Sequence, residues 1–388
     1  MIRTLLVTND FAPKLGGIQS YLEALWLRLD PASTGVLTAS SDQGAGAYDE
    51  VQRARGLRID RVATSTLYLP TRRAGAAVDA AIERVAPDLV LYDPWVPLGA
   101  LGRRGGVPYG VVLHGAEVTI PARMPGLARW SKDVLAHAAV VVCAGSYPEA
   151  EARRLAGSAM PPVVGIPPGV DVARFAPLDE RARASVRTRL LLPGTGPLVV
   201  SVGRLVPRKG LDVLIDAAAI LATQDPSLTL AIAGDGRDLH RLQRRARSAR
   251  VRVHFLGKVT DADKAALMGA ADVFAQPCRS RWGGLEQEGF GIVFLEAAAC
   301  GVPQVAGRSG GSDEAVESGT TGLVVDDPTD PHAVAAALDA ILGDPGRSEQ
   351  MGQAARERAR AVFDYDVLAG RLASGLEAAV GGARAPTS

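Results

Sequence analysis

The chain has 388 residues, 47% of them hydrophobic and 22% charged, a globular balance in a length that calls for more than one core. A formal net charge of +1 and an aromatic share of 5% argue against a nucleic-acid binder, which needs a basic field and stacking platforms. The 3 cysteines, Cys143, Cys278 and Cys300, lack metal-ligand spacing and fit a reducing cytoplasm better than a disulfide framework.

The first predicted strand, "RTLLVTND" (3–10), is a compact apolar run without signal-peptide form. No apolar run approaches bilayer-spanning length, so the expected setting is cytoplasmic. Apolar residues at helical spacing follow in "GGIQSYLEALWLRL" (16–29). Gly16 and Gly17 open that stretch, where paired glycines let a backbone approach a phosphate; a plain turn accounts for the pair equally well. Neither this loop nor "GDGRDL" (234–239) has the G-x-G-x-x-G fingerprint, which counts against a dehydrogenase. Between 53 and 73, Arg53, Arg55, Arg58, Arg61, Arg72 and Arg73 interleave with Leu57, Ile59, Val62 and Leu67. That mixture suits an anionic membrane surface and, equally, a solvated basic face. Further strands are "DLVLYD", "YGVVLHG" and "AVVVCAGS", with helical stretches such as "AAVDAAIERVA" between them. His114 ends the strand "YGVVLHG", and a lone strand-end histidine is more often structural than catalytic.

A Pro-rich tract, "PPVVGIPPGVDVARFAP", and "LLPGTGP" interrupt the alternation. It then restarts with the strands "PLVVSVGRL", "LTLAIAGDG", "VRVHFLG", "DVFAQP", "PQVAG" and "TGLVV", and with the helices "GLDVLIDAAAILATQ" and "DADKAALMGAA". Strand–helix alternation of this kind predicts parallel sheets covered on both faces. The expected architecture is α/β: two doubly wound Rossmann-like domains, 1–168 and 197–364, with a linker at 169–196. A C-terminal helix, 365–380, is expected to cross back to the first domain, followed by a disordered tail at 381–388. Ligands of such sheets bind at the carboxyl ends of strands, and the cleft between two facing sheets is the default site.

Two segments of the second domain carry charge at such ends. "GRLVPRKG" follows a buried strand, so Arg204 and Lys209 are placed to neutralise a leaving diphosphate. Further on, "EQEGFGIVFLEAAACG" (286–301) sets Glu288 in a Gly-rich loop and Glu296 about one turn into a helix beginning near Gly291 or Ile292. The first N–H groups of that helix make an anion seat, and an acid on each side suits hydroxyls flanking the anion. A helix-dipole role explains one glutamate, but not the glycine-rich approach.

In their order along the chain, "GGIQSY", "GRLVPRKG" and "EQEGFGIVFLEAAACGVPQVAG" resemble the retaining glycosyltransferases of group 1, which have two Rossmann-like domains (the B-type fold). Within that family the segments are most similar to the actinobacterial branch that mannosylates phosphatidylinositol monomannoside from GDP-mannose. The resemblance covers almost the whole chain and implies roles at matching positions. Glu288 would hold hexose hydroxyls beside the amides of Phe290 and Gly291. The amides of Ile292 and Val293, with Arg204 and Lys209, would hold the diphosphate, and Glu296 the ribose. Gly16 and Gly17 would close against the diphosphate, His114 would contact the transferred sugar, and Lys258 and Val259 would flank the base. His114, Arg204, Lys209 and Glu288 form the implied catalytic set. The implied partners are a nucleotide-sugar donor and a lipid or glycolipid acceptor, with peripheral contact at an anionic membrane, no nucleic acid, no cofactor and no bound metal. The rival readings are a UDP- or ADP-sugar transferase with a soluble acceptor, a nucleotide-sugar epimerase and a non-catalytic nucleotide-sugar-binding protein.

Overall fold

A computed structural model describes residues 2–14, 16–40, 44–115, 118, 125–282, 286 and 288–384. The chain divides into two compact units, one of residues 1–168 with the segment from Tyr365 onward, the other of residues 169–364.

In the first unit seven strands pair in parallel: β1 (Thr4–Thr8), β2 (Thr34–Ala39), β3 (Arg58–Val62), β4 (Leu89–Asp93), β5 (Tyr109–Leu113), β6 (Val140–Cys143) and β7 (Val163–Gly165). Their order across the sheet is β3-β2-β1-β4-β5-β6-β7. Alternate side chains feed opposite faces, as the pleat requires. Leu5 and Val7 join Leu37, Tyr92, Val111 and Val141 on one face, whereas Leu6 joins Val36, Leu91, Val112 and Val142 on the other. Both faces of β1, β2, β4, β5 and β6 are covered, so these strands read as nearly unbroken apolar runs, whereas the edge strand β3 carries Arg58, Asp60 and Arg61.

The second unit repeats the scheme with β8 (Leu198–Val202), β9 (Thr229–Ala233), β10 (Val253–Gly257), β11 (Val273–Gln276), β12 (Gln304–Gly307) and β13 (Gly322–Val325), ordered β10-β9-β8-β11-β12-β13. Each sheet thus has one place where the strand order reverses, at β1/β4 and at β8/β11. Such reversals open a crevice at the carboxyl ends of the strands.

Three expectations change. The segment 169–196 is no linker: Val170, Phe175, Val186 and Leu192 are core residues of the second unit. Its helix Glu180–Arg189 is capped by Asp179 and tied down by Arg187 to Asp272 at 2.9 Å. Proline and glycine set the tone of that stretch and hide four well-spaced apolar anchors. The C-terminal helix runs Tyr365–Arg384, past the expected stop at 380. Leu368, Leu372, Leu376 and Val380 line one face of it and join Leu22, Leu25 and Trp26 in the core of the first unit. Of the expected tail, 385–388 lies outside the described residues. Finally, the apolar members of the basic stretch, Leu57, Ile59, Val62 and Leu67, are all buried. Arg61 sits among them with its Nε and Nη2 each donating to Asp49 at 2.8 Å. An arginine held by a bidentate pair beneath the surface is not a headgroup ligand. Among the described residues no helix is long and apolar enough to cross a membrane.

Candidate functional site

At the order reversal of the second sheet, side chains leaving β8 and β11 converge. β8 ends at Val202, and the chain turns through Gly203 into the short 3-10 turn Pro207–Lys209. Gly210 closes that turn at φ +67°, so tightly that a Cβ on it would lie 1.9 Å from the Pro277 carbonyl oxygen. The turn aims Lys209 inward, where it is only 7% exposed. Its Nζ donates to Gln276 Oε1 at 3.0 Å and lies 2.8 Å from Glu288 Oε2. Glu288 is equally hidden, at 8% exposure. Its Oε2 also accepts from the Cys278 thiol at 3.5 Å and has Arg208 Nε 3.8 Å away. Burial, then the Glu288 charge, push that thiol well above its ordinary pKa, so it stays a neutral donor.

The loop that carries Glu288 is braced from β12. Glu288 N donates to Ser309 Oγ at 3.3 Å, and Gly311 N donates to Gly289 O at 3.0 Å. A Cβ on Gly311 would come within 2.3 Å of that same oxygen, so the approach needs glycine. The helix that follows, Ile292–Ala299, starts at Gly291 in the left-handed conformation (φ +81°) and has no side-chain cap. Its first backbone donors, Ile292 and Val293, thus have no capping side chain, the arrangement that seats anions. Phe290 turns into the core, edge-on to Phe363 at 5.8 Å.

Glu296, 7% exposed, lies inside that helix. One carboxylate oxygen pairs with Lys264 Nζ, and the other, Oε2, is buried without a hydrogen-bond partner. Burial raises its pKa above the ordinary carboxylate range, and Lys264 acts the other way. A buried acceptor that the protein leaves unsatisfied is one that a hydroxyl donor can satisfy.

The remaining predicted residues of this unit stand apart. Arg204 is exposed, and its side chain forms no ion pair among the described residues. Lys258 is exposed beyond β10, 3.8 Å from Asp235 Oδ2, and Val259 packs partly against the core. The two cations of "GRLVPRKG" therefore differ in kind: Lys209 is built in, and Arg204 projects.

In the first unit the ends of β1, β4 and β5 form a separate cluster. Asp93, 1% exposed, accepts from Thr8 Oγ1 and holds His114 Nε2, each at 2.8 Å. His114 also stands edge-on to Tyr21 at 5.5 Å. The histidine is thus oriented by a buried carboxylate, as imidazoles in working sites are. Gly16 precedes the helix Gly17–Trp26 in extended backbone, and a Cβ on it would come within 2.1 Å of Gln19 Oε1, the end of a flexible side chain. A Cβ on Gly17 would meet nothing within 4 Å.

Sequence reasoning missed Gln276, Cys278, Lys264 and Asp93. Two had a signal: Gln276 is polar at the end of the apolar strand "DVFAQ", and Asp93 likewise ends "LVLYD".

The family described as Glycosyl transferases group 1 matches residues 183–358. The chain is 42% identical to the GDP-mannose-dependent alpha-(1-6)-phosphatidylinositol monomannoside mannosyltransferase of Mycolicibacterium smegmatis, over 95% of this chain and 97% of that protein. It is 35% identical to the GDP-mannose-dependent monoacylated alpha-(1-6)-phosphatidylinositol monomannoside mannosyltransferase of Corynebacterium glutamicum, over 97% and 98% respectively. Among solved structures it resembles sucrose-phosphate synthase from Thermosynechococcus elongatus, with a TM-score of 0.75 and 26% identity over 97% of this chain and 100% of that one.

Proposed function

The chain belongs to the group 1 glycosyl transferases, and from that premise we propose that it moves mannose from GDP-mannose to a phosphatidylinositol mannoside-type lipid, with retention of anomeric configuration. The names of the relatives support the donor and the acceptor. The observation that carries the site is the buried Lys209–Glu288 pair, set beside an uncapped helix start at the β8/β11 reversal. In this reading Lys209 and Arg204, with the amides of Ile292 and Val293, take up the charge that develops on the departing diphosphate. Glu288 orients the hexose through its hydroxyls, and Glu296 Oε2 receives a ribose hydroxyl. His114, fixed by Asp93, contacts the transferred sugar. The acceptor hydroxyl attacks the face that the nucleotide leaves, and the departing phosphate oxygen takes its proton. No protein carboxylate serves as nucleophile, unlike the paired acids of retaining glycosidases. The cations of the chain do the neutralising, with no bound metal in the scheme.

Incubation with GDP-mannose and a lipid extract containing phosphatidylinositol monomannoside yields a product heavier by one hexose, with an α linkage by NMR. Transfer from UDP- or ADP-sugars in preference to GDP-mannose, or donor hydrolysis without lipid product, would refute the assignment. The acceptor also implies a membrane surface. Tyr68 and Leu69 are 44% and 62% exposed, next to the exposed Arg72 and Arg73 at the start of the helix Arg72–Val85. Each arginine near an anionic leaflet contributes about 1 kcal/mol. Sedimentation with anionic vesicles that weakens as salt rises, and is lost in Arg72→Glu/Arg73→Glu, supports peripheral contact; equal recovery with neutral vesicles counts against it.

A further inference from the structure

We propose that Gln276 is a positioning residue for the transfer reaction: it pins the Lys209 ammonium beside Glu288, so that the remaining N–H of the lysine points to the donor diphosphate. This rests on the reading above, in which Lys209 serves that diphosphate.

Gln276 closes a strand whose other residues, Val273, Phe274 and Ala275, are apolar, and it is 0% exposed. A carboxamide there is costly unless both its ends are bonded. Both are: Nε2 donates to Val202 O at 3.1 Å, and Oε1 accepts from Lys209 Nζ at 3.0 Å. The neighbours dictate which end faces which. A carbonyl can only accept and an ammonium can only donate, so a flipped amide would oppose donor to donor and acceptor to acceptor. The side chain is therefore a strut from the last carbonyl of β8 to the cation. Gly203 leaves it room: a Cβ there would stand 3.2 Å from Gln276 Nε2 and 3.8 Å from Lys209 Cε.

An ammonium has three donors. Gln276 takes one, and Glu288 Oε2 is ion-paired to the same nitrogen at 2.8 Å, so at least one donor is left for a ligand. Without the strut, Lys209 is tethered to Glu288 alone, on a flexible four-carbon stem. Charge stabilisation depends on placement, and an error of about 1 Å can cost on the order of 100-fold in rate.

The test is a double-mutant cycle. Gln276→Met keeps the volume and removes both polar atoms; Lys209→Ala removes the cation; the double variant combines them. For each, kcat and the KM for GDP-mannose are measured with the phosphatidylinositol monomannoside extract, and Tm is recorded. We expect Gln276→Met to lower kcat about tenfold or more, with the KM changed less than kcat. In the Lys209→Ala background the same substitution changes kcat less than about twofold, because the two residues act as one unit. Full additivity, or an unchanged kcat in Gln276→Met, overturns the proposal while leaving the diphosphate role of Lys209 intact. An unchanged kcat in Lys209→Ala overturns that role and the strut with it. If Gln276→Met does not fold, Gln276→Asn keeps the amide, draws Oε1 back by one methylene and is read through the same cycle.

Discussion

At the scale of single residues, the second unit hides two carboxylates in different ways. Glu288 is compensated: Lys209, Cys278 and Arg208 all face its Oε2. Glu296 is compensated less: Lys264 pairs with one oxygen, Arg174 adds only a more distant charge, and Oε2 remains without a hydrogen-bond partner. Burial therefore lifts the Glu296 pKa, and the sign of the stability effect follows. The native state binds this proton more tightly than the unfolded chain, so the contribution of the site to stability is greatest below the unfolded carboxylate value of about 4.3. It declines as pH rises through the folded value. Glu296→Gln cannot titrate there. The Tm of the variant minus that of the wild type should then rise from about pH 4 to about pH 7. A difference that stays flat across this range would mean that Lys264 cancels the burial. Donor affinity should meanwhile fall, since an amide offers a ribose hydroxyl a weaker acceptor than a carboxylate.

At the scale of elements, two glycines at helix starts make opposite predictions. Gly210 precedes the helix Leu211–Ala222 at φ +67° and lies against the Pro277 carbonyl. Gly210→Ala forces the left-handed region, costing about 1–2 kcal/mol, and adds a backbone collision. Urea unfolding should show that loss, and the KM for the donor should rise with it, since Lys209 is the next residue. Gly17 begins the helix Gly17–Trp26 with open space where its Cβ would be. Gly17→Ala should leave stability unchanged or raise it by up to about 1 kcal/mol, so a raised donor KM in that variant reports ligand approach alone. The elements themselves were legible. Strands buried on both faces appear as apolar runs, and the start of the helix at Ile292 follows from the glycines before it. The pairings were not legible, because Lys209 and Gln276 are 67 residues apart and Lys264 and Glu296 are 32 apart. Only the strand order β9-β8-β11 brings the first pair together. Reading "GRLVPRKG" as a motif gives both cations one role, whereas the turn at Gly210 buries one and leaves the other in solvent.

At the scale of the whole molecule, the two units complete their cores at different points along the chain. The second is continuous, residues 169–364, and its two clusters draw on no residue outside that span. The first is not: Tyr365, Leu368, Leu372, Leu376 and Val380 supply its core from the far end of the chain. Burying those five side chains is worth about 1.5–3 kcal/mol each. The sum rivals the whole stability of an ordinary domain, about 5–15 kcal/mol. A chain cut after Asp364 should therefore lose the first unit and keep the second. Its thermal melt would show one cooperative transition, with amide exchange protection retained in β8–β13 and lost in β1–β7. The excised segment 169–364 should fold alone and, on the proposed reading, bind GDP-mannose weakly, since the proposed anion seat and both glutamates lie within it. Protection persisting in β1–β7 after truncation would show that the sheet of the first unit stands without its C-terminal helix. Reading the sequence as two tandem domains with a crossing helix captures this discontinuity, and placing a linker at 169–196 obscures it. Phe175 and Val186 are buried members of the second core, and a fragment begun at 197 would leave that core open.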